Sequence, residues 1–191
     1  MTAADVVRSA RRRRRLGQRE LGQRARVTQS QLSQIEGEKS APLYETVERI
    51  LRGAGHRLIA VPTVRDDAAT ITLRIREALD EGDHERALRL FIQLNDNLAA
   101  EAPEIRFALS IAEPEPTGLK HWDAAIAGLI EFRLAEVGLP SPRWVDDSAK
   151  FLSHRWTFGE RGFADSPDEA RVPEPFLKRR VLIDRDTLAS A

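Results

Sequence analysis

Cysteine is absent from the 191 residues, which excludes disulfides and thiolate metal sites and makes a reducing compartment, the cytoplasm, the expected location. No apolar run approaches the roughly 20 residues that span a bilayer, and the N-terminus lacks the apolar stretch and small-residue cleavage site of a secretory signal. A membrane partner is therefore not expected. Signatures of chemistry are missing as well: His56, His84, His121 and His154 are scattered, no two stand at i, i+4, and neither a Gly-rich phosphate loop nor HExxH occurs. Glu160, Asp165, Asp168 and Glu169 are oxygen ligands of the type a divalent cation takes, but a stretch punctuated by Gly and Pro is more often a solvated loop. The expectation is a chain that is not an enzyme and has no cofactor and no metal.

Net charge is zero only on average. Residues 1–62 carry 13 basic and 6 acidic side chains, a balance of +7, which leaves −7 for residues 63–191. One end should be drawn to polyanions and the other should repel them.

What the chain does have is helical periodicity, and the expected fold class is mainly α. Four short helices fit in residues 1–62. The first covers about 3–14 with Val6, Val7 and Ala10 inward. The second runs from Gln18 to about Ala25, with Gly17 at its N-cap and Leu16 stapled on Leu21. In the third, VTQSQLSQIEG, Thr28 and Gln31 are spaced as a capping box, and Gly37 suits the left-handed residue that ends a helix. The fourth starts near Pro42 and carries Leu43, Val47, Ile50, Leu51 and Ala54 inward until Gly53 and Gly55 stop it. His56 to Pro62 reads as extended.

Residues 63–69 (TVRDDAA) read as a linker, and residues 70–191 as a C-terminal helical domain with a short irregular or β tail. Three helices are expected there: one through Ile71, Ile75 and Leu79, one over 85–102, and one over 122–137. Val145 to Leu152 suggests one more. Thr157 to Pro175 reads as loop, Val181 to Ile183 as a short strand, and Asp186 as the start of a helical turn. Trp122 lies on a core stripe, whereas Trp144, Trp156 and Phe176 are the candidate partner-binding anchors.

At 100° per residue, Leu32 and Ile35 point to one side of the third helix, and Ser30, Ser33 and Gln34 fall on the other, with Gln29 and Gln31 on its flanks. A solvated helix face is the plain reading of such a pattern. Amides that donate and accept at once, and small hydroxyls, also match the base edges of the DNA major groove, which admits an α-helix. The neighbouring short helix, the Arg11 to Arg15 run and the local +7 charge favour the second reading.

The stretch GQRELGQRARVTQSQLSQIEGEKSAP, with Gln18, Glu20-Leu21, Thr28-Gln29, Ile35-Glu36 and Lys39, closely resembles the helix-turn-helix domain of XRE-type regulators and lambdoid phage repressors. The resemblance covers roughly residues 5–62. It implies a lambda-repressor-like bundle of about five helices that binds double-stranded operator DNA as a homodimer, with the third helix in the major groove. Gln29, Ser30, Ser33 and Gln34 would read bases. Gln18 would contact phosphate and brace Gln29, and Arg14, Arg15, Arg19, Arg26, Thr28, Gln31 and Lys39 would hold phosphates or support the reading helix. Two residues depart from the family pattern: Arg26 stands where the turn usually has Gly, at a left-handed cost of about 1 kcal/mol, and Gly22 replaces an Ala.

WDAAIAGLIEFRLAEVGLPSPRWV and PEPFLKRRVLIDRDTLASA are similar to C-terminal regions of bacterial helix-turn-helix antitoxins paired with nucleotidyltransferase-like toxins. That likeness implies a second domain that binds and inactivates a cognate toxin while the first represses its own operon. The alternative is a transcriptional regulator whose second domain senses a small molecule.

Overall fold

In the computed structural model, which describes residues 2–158 and 168–189, the chain begins with a reciprocal helix cap. The Asp5 amide donates to Thr2 Oγ1 (3.3 Å) and the Thr2 amide to the Asp5 carboxylate (2.9 Å), so two donors that helix geometry leaves unpaired are satisfied at once. Helix α1 (Ala3–Arg13) follows and buries Ala4, Val7 and Ala10. Arg15, left-handed at φ 53°, then reverses the chain and delivers Leu16 to the core.

Helix α2 (Gln18–Ala25) starts on Gly17 and ends on Arg26, whose φ of 54° and ψ of 44° give the left-handed turn expected from its place in the pattern. Helix α3 (Gln29–Glu36) is capped by Thr28, which accepts from the Gln31 amide at 3.0 Å; only this half of the expected capping box forms. Gly37 is not left-handed (φ −90°); Glu38 takes that role at φ 58°. Helix α4 (Tyr44–Gly53) starts one residue after Leu43, which serves as the N-cap and stays 75% exposed instead of facing inward. Val47, Ile50, Leu51 and Ala54 join Leu21, Ala25, Leu32 and Ile35 in one core, with Leu58 packed against it. Residues 2–60 thus contain four helices, one fewer than the resemblance implies.

The chain divides into two compact units, 1–60 and 61–191. In the second, residues 63–69 are part of the structure: Asp66 accepts from Arg74 at 2.6 Å, and Asp67 caps helix α5 (Ala68–Asp80). Helix α6 (His84–Ala99) packs along α5 and ends three residues earlier than expected, and Pro103 starts a separate helix, α7 (Pro103–Ile111), in a stretch where no helix was expected. Helix α8 (Lys120–Ala135) is the centre of this unit. It is buried nearly all round, from Trp122 through Leu134, with α6, α7 and the short helix α9 (Glu174–Leu177) packed on it. A Cβ on Gly128 would lie 2.8 Å from the Phe176 ring, so glycine is what admits that ring. Residues 143–146 and 148–150 form two 3-10 turns in place of one helix. Strand β1 (Trp156–Thr157) pairs in parallel with β2 (Val181–Leu182), and Arg185–Leu188 makes the closing helical turn. Of the expected 157–175 loop, residues 159–167 lie outside the described residues. Among the described residues, no helix is long and apolar enough to cross a membrane.

Candidate nucleic-acid interface

The site is built on α3. Its inner side chains, Leu32 and Ile35, are buried against α1 and α2, and this fixes the helix rotation. Gln29, Ser30, Gln31, Ser33 and Gln34 are all exposed. The three-residue turn of Arg26, Val27 and Thr28 joins α2 to α3, and its tightness has a local cause. The Val27 amide donates to Gly22 O at 2.9 Å, and a Cβ on Gly22 would come within 2.8 Å of Val27 O. The close backbone approach found here thus favours glycine at position 22.

Glu36, only 5% exposed, ties α3 to the rest of the unit. Arg11 of α1 donates to both its oxygens (2.7 and 2.8 Å), Gln18 of α2 donates through Nε2 at 2.9 Å, and Arg8 donates to its backbone carbonyl. Burial alone would push the Glu36 carboxyl up. The hydrogen bonds from Arg11 and Gln18, with the charges of Arg11 and Arg8, outweigh burial and hold it below the usual carboxylate range. In the sequence Glu36 stands out only as one residue of the resemblance; a carboxylate beside Ile35 at the end of a short helix gives no signal of its three partners.

Around α3, Arg15, Arg19, Arg26, Thr28 and Lys39 are exposed. Arg14 is exposed but also donates through Nε to Ala54 O at 3.2 Å, which bridges α1 to the end of α4. Gln18 is half-buried and donates from its side-chain amide to Glu36, so the link it makes to α3 runs through the C-terminal end of that helix and not through Gln29.

In the second unit, two of the three candidate anchors belong to the core. Trp144 is buried and donates its indole N–H to Ser110 O at 3.1 Å, and Phe176 is fully buried against Gly128 and Phe132. Turn-rich flanks suggested exposure, but short turns here fold back over α8. Trp156 is half-buried in a cluster with His121 (centroids 4.5 Å), Trp122 and Phe158. Burial pushes the His121 imidazole below its ordinary value, opposed by Asp123 and reinforced by His84. Of the candidate oxygen ligands, Glu160 and Asp165 lie outside the described residues; Asp168 accepts from the Ala170 amide and Glu169 pairs with Arg155.

Pattern reading also missed three buried arginines. Arg106 donates to Ala99 O and Arg133 O, Arg133 to Asn95 Oδ1 and Leu188 O, and Arg179 to Pro175 O, Val145 O and Glu131. Nothing in their sequence neighbours distinguishes them from surface arginines. Comparison with protein-family models, curated proteins and solved structures finds no match.

Proposed function

We propose that this protein is a sequence-specific DNA-binding repressor of the XRE type, in which residues 1–60 form a helix-turn-helix and α3 enters the major groove of operator DNA. The observation that carries the reading is the outward face of α3. Gln29, Ser30, Ser33 and Gln34 are exposed together on a helix whose opposite side is locked by Leu32, Ile35 and Glu36. A face meant only for solvent has no need of a fixed rotation, whereas base readout needs donors and acceptors held in register. Exposed Arg15, Arg19, Arg26 and Lys39 supply the phosphate contacts.

The second unit takes the partner, in the manner of an antitoxin that neutralises a nucleotidyltransferase-like toxin while the first unit represses the operon. Its surplus of acidic side chains supports this reading, because an enzyme acting on nucleic acid presents a basic surface that an acidic protein can cover. With Trp144 and Phe176 in the core, half-buried Trp156 is the remaining aromatic contact of the original three.

Changing Gln29, Ser30, Ser33 and Gln34 together to alanine tests the first assignment. Binding to the chain's own promoter should drop about 100-fold or more in a gel-shift competition, with helicity unchanged. A folded quadruple variant that still selected the same sites would end the proposal. Co-expression with the neighbouring gene product tests the second: co-purification through residues 61–191 supports it, and absence of any complex removes it.

A further inference from the structure

The first turns of α6 and α8 each carry an imidazole: His84 opens α6, and His121 is the second residue of α8. A helix N-terminus holds partial positive charge, so neither is a favourable place for a cation. His84 is exposed, whereas His121 is half-buried, its ring resting on Trp156 of β1 with centroids 4.5 Å apart. Trp156 also meets Trp122 and Phe158 (6.2 and 5.3 Å), and Phe158 reaches Phe91 at 4.4 Å, so one run of rings ties β1 to α6 and α8. Backbone support for β1 is slight: the Trp156 amide donates to Arg180 O and the Phe158 amide to Leu182 O, both at 2.9 Å, around a strand of two residues. A two-stranded pairing is marginal without side-chain packing, so these rings decide whether β1 stays in place.

We propose that His121 is a proton-operated latch on β1: neutral, it rests on Trp156 and keeps the strand seated; protonated, it leaves the rings for water and lets β1 open. The groups around it compensate a cation poorly. On its own helix, Lys120 adds positive charge in the same turn. Asp123 favours protonation, but one of its oxygens already accepts from the Thr117 amide (2.9 Å) and hydroxyl (2.8 Å). From α6, His84 opposes protonation. The acids flanking His84 are engaged, since Asp83 accepts from the Arg86 amide and Glu85 pairs with Arg89. On the β1 side, Arg155 pairs with Glu169. The face of Trp156 would attract an imidazolium, and the latch requires burial, His84 and the helix end to outweigh that attraction. Burial, reinforced by His84, holds the folded His121 below its ordinary value, so the opened strand takes up the proton first. The stabilisation is therefore complete above about pH 6.5 and declines as pH falls from there to the folded value. Trp156 is also the aromatic side chain left for a partner to meet; that consequence rests on the partner reading, and the latch does not.

Hydrogen exchange of the full chain, without any partner, reads the latch where it acts. Between about pH 8 and about pH 5, the range in which an imidazole changes charge, protection of the Trp156 and Phe158 amides, corrected for intrinsic rates, should fall several-fold. Amides in the middle of α6 and α8 should keep theirs. His121→Phe retains a ring but cannot take the proton, so its protection at these two amides should not change with pH. His121→Gln, which has no ring to rest on Trp156, should show the low protection at every pH. An NMR titration of the parent should place His121 below an unburied imidazole, and His84→Ala should raise it. The same pH dependence in His121→Phe as in the parent, or a His121 that titrates at or above its ordinary value, would overturn the latch. Should His121→Phe disturb the core, the titration and the Gln variant still decide. Because every arm uses the chain alone, loss of the latch leaves the DNA and partner readings standing, and their failure leaves the latch.

Discussion

Arg12, Arg15, Arg19 and Arg26 of the first unit are exposed, whereas Arg106, Arg133 and Arg179 of the second are buried, the last with no exposed surface at all. In the first unit Arg8, Arg11 and Arg14 also donate to backbone carbonyls, whereas Arg15, Arg19 and Arg26 stay exposed around a small aliphatic core. The second unit wraps 3-10 turns, two-residue strands and a four-residue helix around α8, and these leave carbonyls without helical or ladder partners. A guanidinium carries five donors in a fixed fork. Arg179 uses two of its nitrogens to join Pro175, Val145 and Glu131, and Arg133 reaches Leu188 near the end of the described chain. Arginine can therefore build opposite surfaces, and a regional charge count understates how acidic the outside of the second unit is.

The difference should show most strongly in stability. Arg179→Ala removes a fully buried cation from Glu131 and two carbonyls and should cost the second unit about 3 to 5 kcal/mol. All three tryptophans lie in that unit, so urea unfolding followed by Trp fluorescence reads it alone. Arg19→Ala should instead leave stability within about 0.5 kcal/mol and weaken promoter binding.

Glu36 is the first unit's counterpart to that internal bracing. Glu36→Gln should cost about 2 to 3 kcal/mol, a little under the buried-pair range because Arg11 retains some water. The folded carboxyl titrates below its unfolded value, so it stabilises the unit above about pH 4, and that contribution disappears as pH falls through the folded value. Hydrogen exchange of α2 and α3 amides against pH should show the acid-side loss in the parent and a flatter profile in Glu36→Gln.

Gly22→Ala sharpens the comparison at the turn. Helix propensity alone would favour alanine by about 1 kcal/mol, but the 2.8 Å approach to Val27 O should reverse the sign, to a loss of about 1 kcal/mol or more by thermal unfolding. The smallest effect is expected at Arg26. Arg26→Gly relieves a left-handed arginine and should add up to about 1 kcal/mol of stability. It should also lower the slope of log promoter affinity against log salt by about 0.9 if Arg26 holds a phosphate; an unchanged slope would remove Arg26 from the interface.

Legibility followed the range of the interactions. The bounds of α2 and the turn at Asp186 were readable because each depends on side chains within a few residues, while the left-handed Arg26 was expected from the resemblance. Helix α7 was lost because Ala102-Pro103 looks like a helix end from one side and is a helix start from the other. Leu43 had the right spacing for the core but became an N-cap, since chain entry and not periodicity sets the first turn. The exposed face of α3 was readable from spacing alone. The Arg11, Gln18 and Glu36 cluster that holds it was not, because its members lie up to 25 residues apart and meet only when three helices pack.

Sequence by itself determined the mainly helical character, the asymmetry of charge between the two parts, and which groups α3 turns outward, because periodicity, net charge and capping are properties of neighbours along the chain. Tertiary structure alone decided that Trp144, Phe176, Arg106, Arg133 and Arg179 are interior. Burial and hydrogen-bond satisfaction are sums over residues brought together from far apart, and no local pattern contains them.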